Sequence, residues 1–238
     1  MDSKFIEQHK GILAELLEQM LPADSIDQTV SGLAAHGFER RYGLKYDQPL
    51  LRFRILDKDL TAAYGLTDLS VPLDQFNQLQ LPCERVFITE NKINGLSFPA
   101  VERAIVIFGL GYGIRSLSQT AWLRDKAIFY WGDIDTHGFA ILSQLRGYFP
   151  QVGSLLMDRQ TLMAFQGLWG REPDDKRCLA DLLNLTEPEQ SLYQDLRNNV
   201  LGDNIRLEQE RIGFAYLCKR LDLQYDAYGA HQPACGLS

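Results

Sequence analysis

The 238-residue chain is poor in cysteine, and what it has is not spaced for a metal. Cys83, Cys178, Cys218 and Cys235 form no C-x-x-C pair, which excludes a zinc knuckle and fits scattered thiols in a reducing compartment. No apolar run approaches the roughly 18 residues that a membrane span requires. The opening MDSKFIEQHKG has no apolar core of a signal peptide. A cytoplasmic protein without a membrane partner is expected. Excess positive charge is lacking too. A net charge of −7 excludes a histone-like wrapper held to nucleic acid by bulk charge, though not an enzyme that touches DNA through a local patch. The phosphate-binding G-x-x-x-x-G-K-[ST] is absent, so no ATP hydrolysis is expected. What the chain does have is bulk: with 12 Phe and 10 Tyr in a 45% hydrophobic composition, it can bury a core without staples.

Helical spacing of Phe5, Ile6, Leu13, Leu16, Leu17 and Met20 predicts a helix ending before Leu21-Pro22. A second helix is expected from Asp24 or Ser25, and LLRFRIL at 50–56 alternates like a strand. Val71 to Leu79 reads as a turn into a helix. From Pro82 the regime changes. Arg85–Thr89, Ala104–Phe108 and Ile128–Trp131 are continuous apolar strands, with a weaker fourth over Val152–Met157. Helical stretches around 114–123 and 136–146 lie between them. This alternation predicts an α/β fold, a parallel sheet covered by helices. Helices are expected near 187–200 and 204–221. The expected division is an N-terminal α+β segment over 1–80, then an α/β domain over 81–238 with a helical C-terminal part. The helical pattern starts almost at once, as expected of a piece of a longer protein.

Three acids stand where chemistry in such sheets sits. Glu90 follows the first strand, and Asp133 and Asp135 follow the third, in WGDIDTHG. Carboxyl ends of parallel strands share one edge, so these acids can converge there. Three close carboxylates stay ionised together when a hard cation such as Mg²⁺ or Mn²⁺ neutralises them. Such a cation grips a phosphodiester and stabilises a leaving oxyanion, which points to hydrolysis by activated water. Each acid alone also reads as a helix cap or a solvated turn residue. His137 is a candidate general base, or a structural first-turn histidine.

Other signals are weaker. Gly109-Leu110-Gly111-Tyr112-Gly113 lacks the third glycine of a dinucleotide turn, because Ile114 stands in its place. Asp133-Ile134-Asp135-Thr136 resembles the loop of haloacid-dehalogenase-like phosphatases, with the threonine one residue early and Glu90 unexplained. Arg159 is placed to meet phosphate or to pair with Asp158. Glu208 and Glu210 read as an exposed helix face. Arg40, Arg41, Lys45, Arg52, Arg54 and Lys58, among Glu39, Asp47 and Asp57, make the most basic stretch and a candidate DNA contact. Residues 171–210 carry ten acids against five bases, so that segment is expected to face a protein partner or water.

Glu after one strand and Asp-x-Asp after a later one is the Toprim arrangement of topoisomerases, primases and related nucleases. The wider wording is more specific. ITENKINGLSFP (88–99), IVIFGLGYGI (105–114), YWGDIDTHGFAIL (130–142), SLLMDRQTL (154–162) and RLEQERIGFAY (206–216) resemble the C-terminal Toprim region of the JetD family. These are nuclease subunits of Wadjet plasmid-defence systems, similar to the A subunit of topoisomerase VI. The resemblance runs from about Phe5 through Tyr216. It implies a Mg²⁺-dependent DNA endonuclease that works as a homodimer with an SMC-like motor of the JetABC type on circular plasmid DNA, with Glu90, Asp133 and Asp135 as metal ligands. Lys92 stands where the family usually has an acid. That departure implies either a weakened second metal site or a cation for the scissile phosphate; the first leaves a catalytically weak Toprim interaction module as the alternative. The family's N-terminal arm and DNA-binding parts are not in this chain.

Overall fold

The computed structural model describes residues 3–33, 36–46 and 48–222. Asp47 and Cys235, both named above, lie outside them. Two compact units meet between Pro49 and Leu50.

In the first, α1 (Ser3–Met20) ends where the sequence predicts. Its Ile6, Leu13 and Leu17 pack against buried Ile26, Phe38 and Tyr42. The helix expected from Asp24 is only a single 3₁₀ turn, Ala23–Ser25. The Asp27 carboxylate accepts from the Thr29 amide and hydroxyl, and this local turn competes with helical pairing. The helix comes later, as α2 (Gly37–Arg41).

The second unit is built on a six-stranded sheet of order β2-β1-β4-β3-β5-β6. The strands are β1 (Leu50–Ile55), β2 (Asp68–Pro72), β3 (Arg85–Thr89), β4 (Ala104–Phe108), β5 (Ala127–Trp131) and β6 (Gly153–Ser154). From β4 to β6 all pairings are parallel, and β4 is buried at every residue, as its unbroken apolar run requires. Strand β1 joins antiparallel to both β4 and β2, burying Leu51, Phe53 and Ile55. Residues 50–72 are therefore part of this sheet, and the unit boundary at Pro49 differs from the expected division near residue 80. The difference follows from LLRFRIL: its apolar side completes the core that the parallel strands begin. The turn expected from Val71 overlaps only the end of β2, and DLSVP is too short and mixed to show alternation.

Helices α3 (Lys58–Tyr64), α4 (Leu73–Gln78), α5 (Lys92–Leu96), α6 (Thr136–Tyr148), α7 (Arg159–Ala164), α8 (Glu187–Arg197) and α9 (Phe214–Arg220) surround the sheet. The stretch 111–125 is 3₁₀ rather than α-helical. The fold is thus α/β and mainly parallel, compatible with Toprim. The long helix expected over 204–221 is absent. There β8 (Ile205–Arg206) pairs with β7 (Gly170–Arg171), a 3₁₀ turn spans Gln209–Arg211, and α9 begins after Gly213. Ile134 and Leu207 exchange both backbone hydrogen bonds, which a helix at 207 would forbid. Cys83, Cys178 and Cys218 are free thiols. No helix among the described residues is long and apolar enough to cross a membrane.

Candidate metal centre

Thr89 and Trp131 face each other on the last rung between β3 and β5. Glu90 lies one residue beyond that rung and Asp133 two, so strand register alone delivers both to one edge. Glu90 is half-buried rather than free in a turn: its Oε1 accepts from the Tyr130 hydroxyl, and burial pushes its pKa upward. Gly132 makes that approach possible. A Cβ there would stand 2.6 Å from Glu90 Oε1 and collide with the Tyr130 hydroxyl.

Asp135 is buried and caps α6, its Oδ1 accepting from Gly138 N at 2.7 Å. The capping reading of this acid therefore holds, but it uses one oxygen. The other faces Arg206, with Nε at 3.2 Å. Burial, and next the charge of nearby Glu172, push the Asp135 carboxyl up to about 7. Asp133 accepts from Gln209 N at 2.9 Å through Oδ1 and from Arg206 Nε and Nη2 at 3.1 and 2.5 Å through Oδ2. Arg206 also comes within 3.7 Å of Glu208. Burial opposes its charge, but these carboxylates outweigh it and its pKa rises.

The acids line a cavity of about 300 Å³ with His137, Glu172 and Arg206. Glu172 is buried and sits on the first turn of α6, accepting from Thr136 N, Thr136 Oγ1 and His137 N at 2.8–3.2 Å. The Thr136 hydroxyl, which the phosphatase reading would need, is thus buried against Glu172. Glu172, Arg206, Gln209 and Tyr130 were missed as site residues. RLEQERIGFAY contained two of them, but a helical reading pointed attention to its acids. Glu208 and Glu210 lie at the 3₁₀ turn instead, where Glu208 pairs with Arg211 and Glu210 accepts from Asn91.

Three carboxylates are the hard oxygen donors that Mg²⁺ or Mn²⁺ takes, and Gly132 keeps the space beside Glu90 open. The donor chemistry fits. The arrangement is not ready-made, however: among the described residues no three His, Cys, Asp or Glu side chains stand as a group that could hold an ion. The Arg206 guanidinium lies among them.

The candidate DNA contacts divide sharply. Arg41 pairs with Glu18 and donates to Val30 O, Arg52 forks onto Asp68, and Arg54 is turned inward to the Gly95 and Phe98 carbonyls. Arg159 pairs with Asp195, not Asp158, which caps α7 and meets Arg220. Arg40 and Lys92 are exposed. Lys92 does not line the cavity; its charge helps hold the Asp68 carboxyl below its usual range, after the larger effect of Arg52.

One comparison with known proteins places the chain in a family. The family model for "Wadjet protein JetD, C-terminal" matches residues 43–221, three-quarters of the chain and all of the sheet and acid cluster. No curated protein matches the chain. The chain belongs to the Wadjet JetD C-terminal family.

Proposed function

Starting from that membership, we propose that this chain is the nuclease part of a Wadjet plasmid-defence complex, cutting DNA by metal-assisted hydrolysis. The observation that carries the reading is the convergence of Glu90, Asp133 and Asp135 at one sheet edge from strands paired in register. Glu90, Asp133 and Asp135 would hold Mg²⁺ or Mn²⁺, which when bound would supply Lewis-acid stabilisation of a phosphodiester and activation of water. The chain's own groups do the rest. Glu172 and Asp135 fix the first turn of α6, which holds the half-buried His137 at the cavity wall, within reach of a proton moving to or from water. Tyr130 holds the Glu90 carboxylate toward the cavity. Exposed Lys92, Arg40 and Arg159 are the proposed DNA-backbone contacts. Arg41, Arg52 and Arg54 serve the fold first.

With a net charge of −7 the chain has little long-range attraction for DNA, so delivery by an SMC-like motor and action as a homodimer on circular plasmid complete the proposal. A plasmid-nicking assay across a Mg²⁺ and Mn²⁺ titration, with the motor complex and ATP, tests it. Cleavage lost in Asp135→Asn is the expected result. Phosphate release from small esters without cleavage would replace it with a phosphatase. One observation favours a second reading, a Toprim module that binds partners without cutting: Arg206 already occupies Asp133. Absence of cleavage and of phosphate release would select it.

A further inference from the structure

The acids at the sheet edge are not left to repel one another. Arg206 Nη2 and Nε lie 2.5 and 3.1 Å from Asp133 Oδ2, and Nε lies 3.2 Å from Asp135 Oδ2. Its guanidinium contacts both of these acids, which with Glu90 would hold a divalent cation. We propose that Arg206 is the resident counter-ion of this centre, which the metal must displace, so that metal-free stability and metal affinity are set against each other by one side chain. The inference rests on the metal reading above and adds the competitor.

The geometry permits the exchange. Arg206 is 29% exposed at its side chain, so the guanidinium has an outward path. Glu208, itself partly exposed, lies 3.7 Å from Nη1 and gives it a place to turn. The backbone beneath need not follow. Ile134 N donates to Leu207 O at 2.9 Å, Leu207 N to Ile134 O at 3.1 Å, and Gln209 N to Asp133 Oδ1 at 2.9 Å. These bonds hold the segment to the Asp-x-Asp loop whether or not Arg206 is in place. Only a side-chain rotation separates the two states. A ligand that must remove a competitor loses apparent affinity by the competitor's hold, and removing the competitor returns it.

The test is Mn²⁺ calorimetry and metal-free thermal melting on the full chain and on Arg206→Gln and Arg206→Lys. Gln removes the charge; Lys keeps it without the fork. Expected are a lower melting temperature for Arg206→Gln in chelator, Mn²⁺ binding tighter than wild type by at least about tenfold, equivalent to about 1.4 kcal/mol, and recovery of the melting temperature with Mn²⁺. Arg206→Lys should stay close to wild type in Mn²⁺ affinity. If Arg206→Gln is unfolded in chelator, refolding driven by Mn²⁺, followed by circular dichroism, supports the proposal, and no refolding overturns it. If wild type binds Mn²⁺ and Arg206→Gln binds no tighter, the counter-ion role is wrong while the metal reading stands. If neither binds, the metal reading itself has failed.

Discussion

Two buried arginine–carboxylate clusters in the same unit behave in opposite ways. At Glu189, one acid meets one arginine: Arg146 forks onto it, Ser154 and the Thr186 amide donate to it, and Arg146 spends its remaining donors on the Val152 and Asn184 carbonyls. Burial alone would raise this carboxyl, but those bonds overcome it and hold it at about 2. At the sheet edge, Asp133 and Asp135 share Arg206, with Glu90 close by, while Glu172 has Arg177 at 3.8 Å. There Asp135 is pushed up to about 7 by burial and by Glu172. Burial raises both carboxyls; at Glu189 the Arg146 fork and the Ser154 and Thr186 donors overcome it, and at Asp135 nearby Glu172 adds to it. A matched pair is a structural joint. Two carboxylates that share one guanidinium leave negative charge for a further cation to answer.

The contrast can be broken in several places. The largest effect is expected at the joint. Glu189→Ala strands a buried guanidinium and should cost about 3 kcal/mol in denaturant unfolding. The sign with pH follows. The Glu189 carboxyl is depressed from 4.5 to about 2, so its contribution is full above about pH 4.5 and is lost as pH falls through about 2. Melting curves of wild type and Glu189→Gln should converge as pH falls over that window. A gap that persists at pH 2 would show that packing, not charge, is what the residue supplies.

Asp133→Ala removes the acid that Arg206 grips most closely, and both Mn²⁺ affinity and plasmid cleavage should fall by more than about a hundredfold. Unchanged calorimetry would remove Asp133 from the centre. Asp135 carries the opposite pH sign to Glu189. Its carboxyl is raised from 3.8 to about 7, so metal-free stability falls as pH rises through that range. Asparagine still caps α6, so Asp135→Asn should stabilise the metal-free chain at pH 8 by on the order of 2 kcal/mol and make little difference at pH 4. Gly132→Ala should cost about 1–3 kcal/mol by pushing Glu90 and Tyr130 aside, and should weaken Mn²⁺ binding in proportion. The smallest effect is expected at the half-exposed Arg159–Asp195 pair, where Arg159→Ala should cost less than about 1 kcal/mol. A larger DNA-affinity loss than stability loss there would mark a phosphate contact.

The acids and their strands were legible because both signals are local. VFI within Arg85–Thr89, AIVIF and IFYW are unbroken apolar runs, and Glu90, Asp133 and Asp135 follow two of these strands by one to four residues. Arg206, Gln209 and Glu172 were not legible for the complementary reason. Their positions depend on the pairing of Ile134 with Leu207 and of β7 with β8, which no window of sequence contains. The helical spacing of 204–221 was real only in its last third, where α9 forms. Before it, pairing with the Asp-x-Asp loop overrides local preference. The basic stretch misled in another way. Residue type showed the charge of Arg41, Arg52 and Arg54, but not that Glu18, Asp68 and the Gly95 carbonyl had already claimed them.

The bond from Gln209 N to Asp133 spans 76 positions of sequence. A ribosome adding about 5–20 residues per second therefore exposes Asp133 and Asp135 several seconds before the residues that close over them exist. During that interval the emerging chain holds these acids without Arg206 or the Gln209 amide, and Ile134 is without its Leu207 partner. Completion of the centre is thus a late event in biosynthesis. The acid cluster is enclosed only once synthesis has passed residue 209.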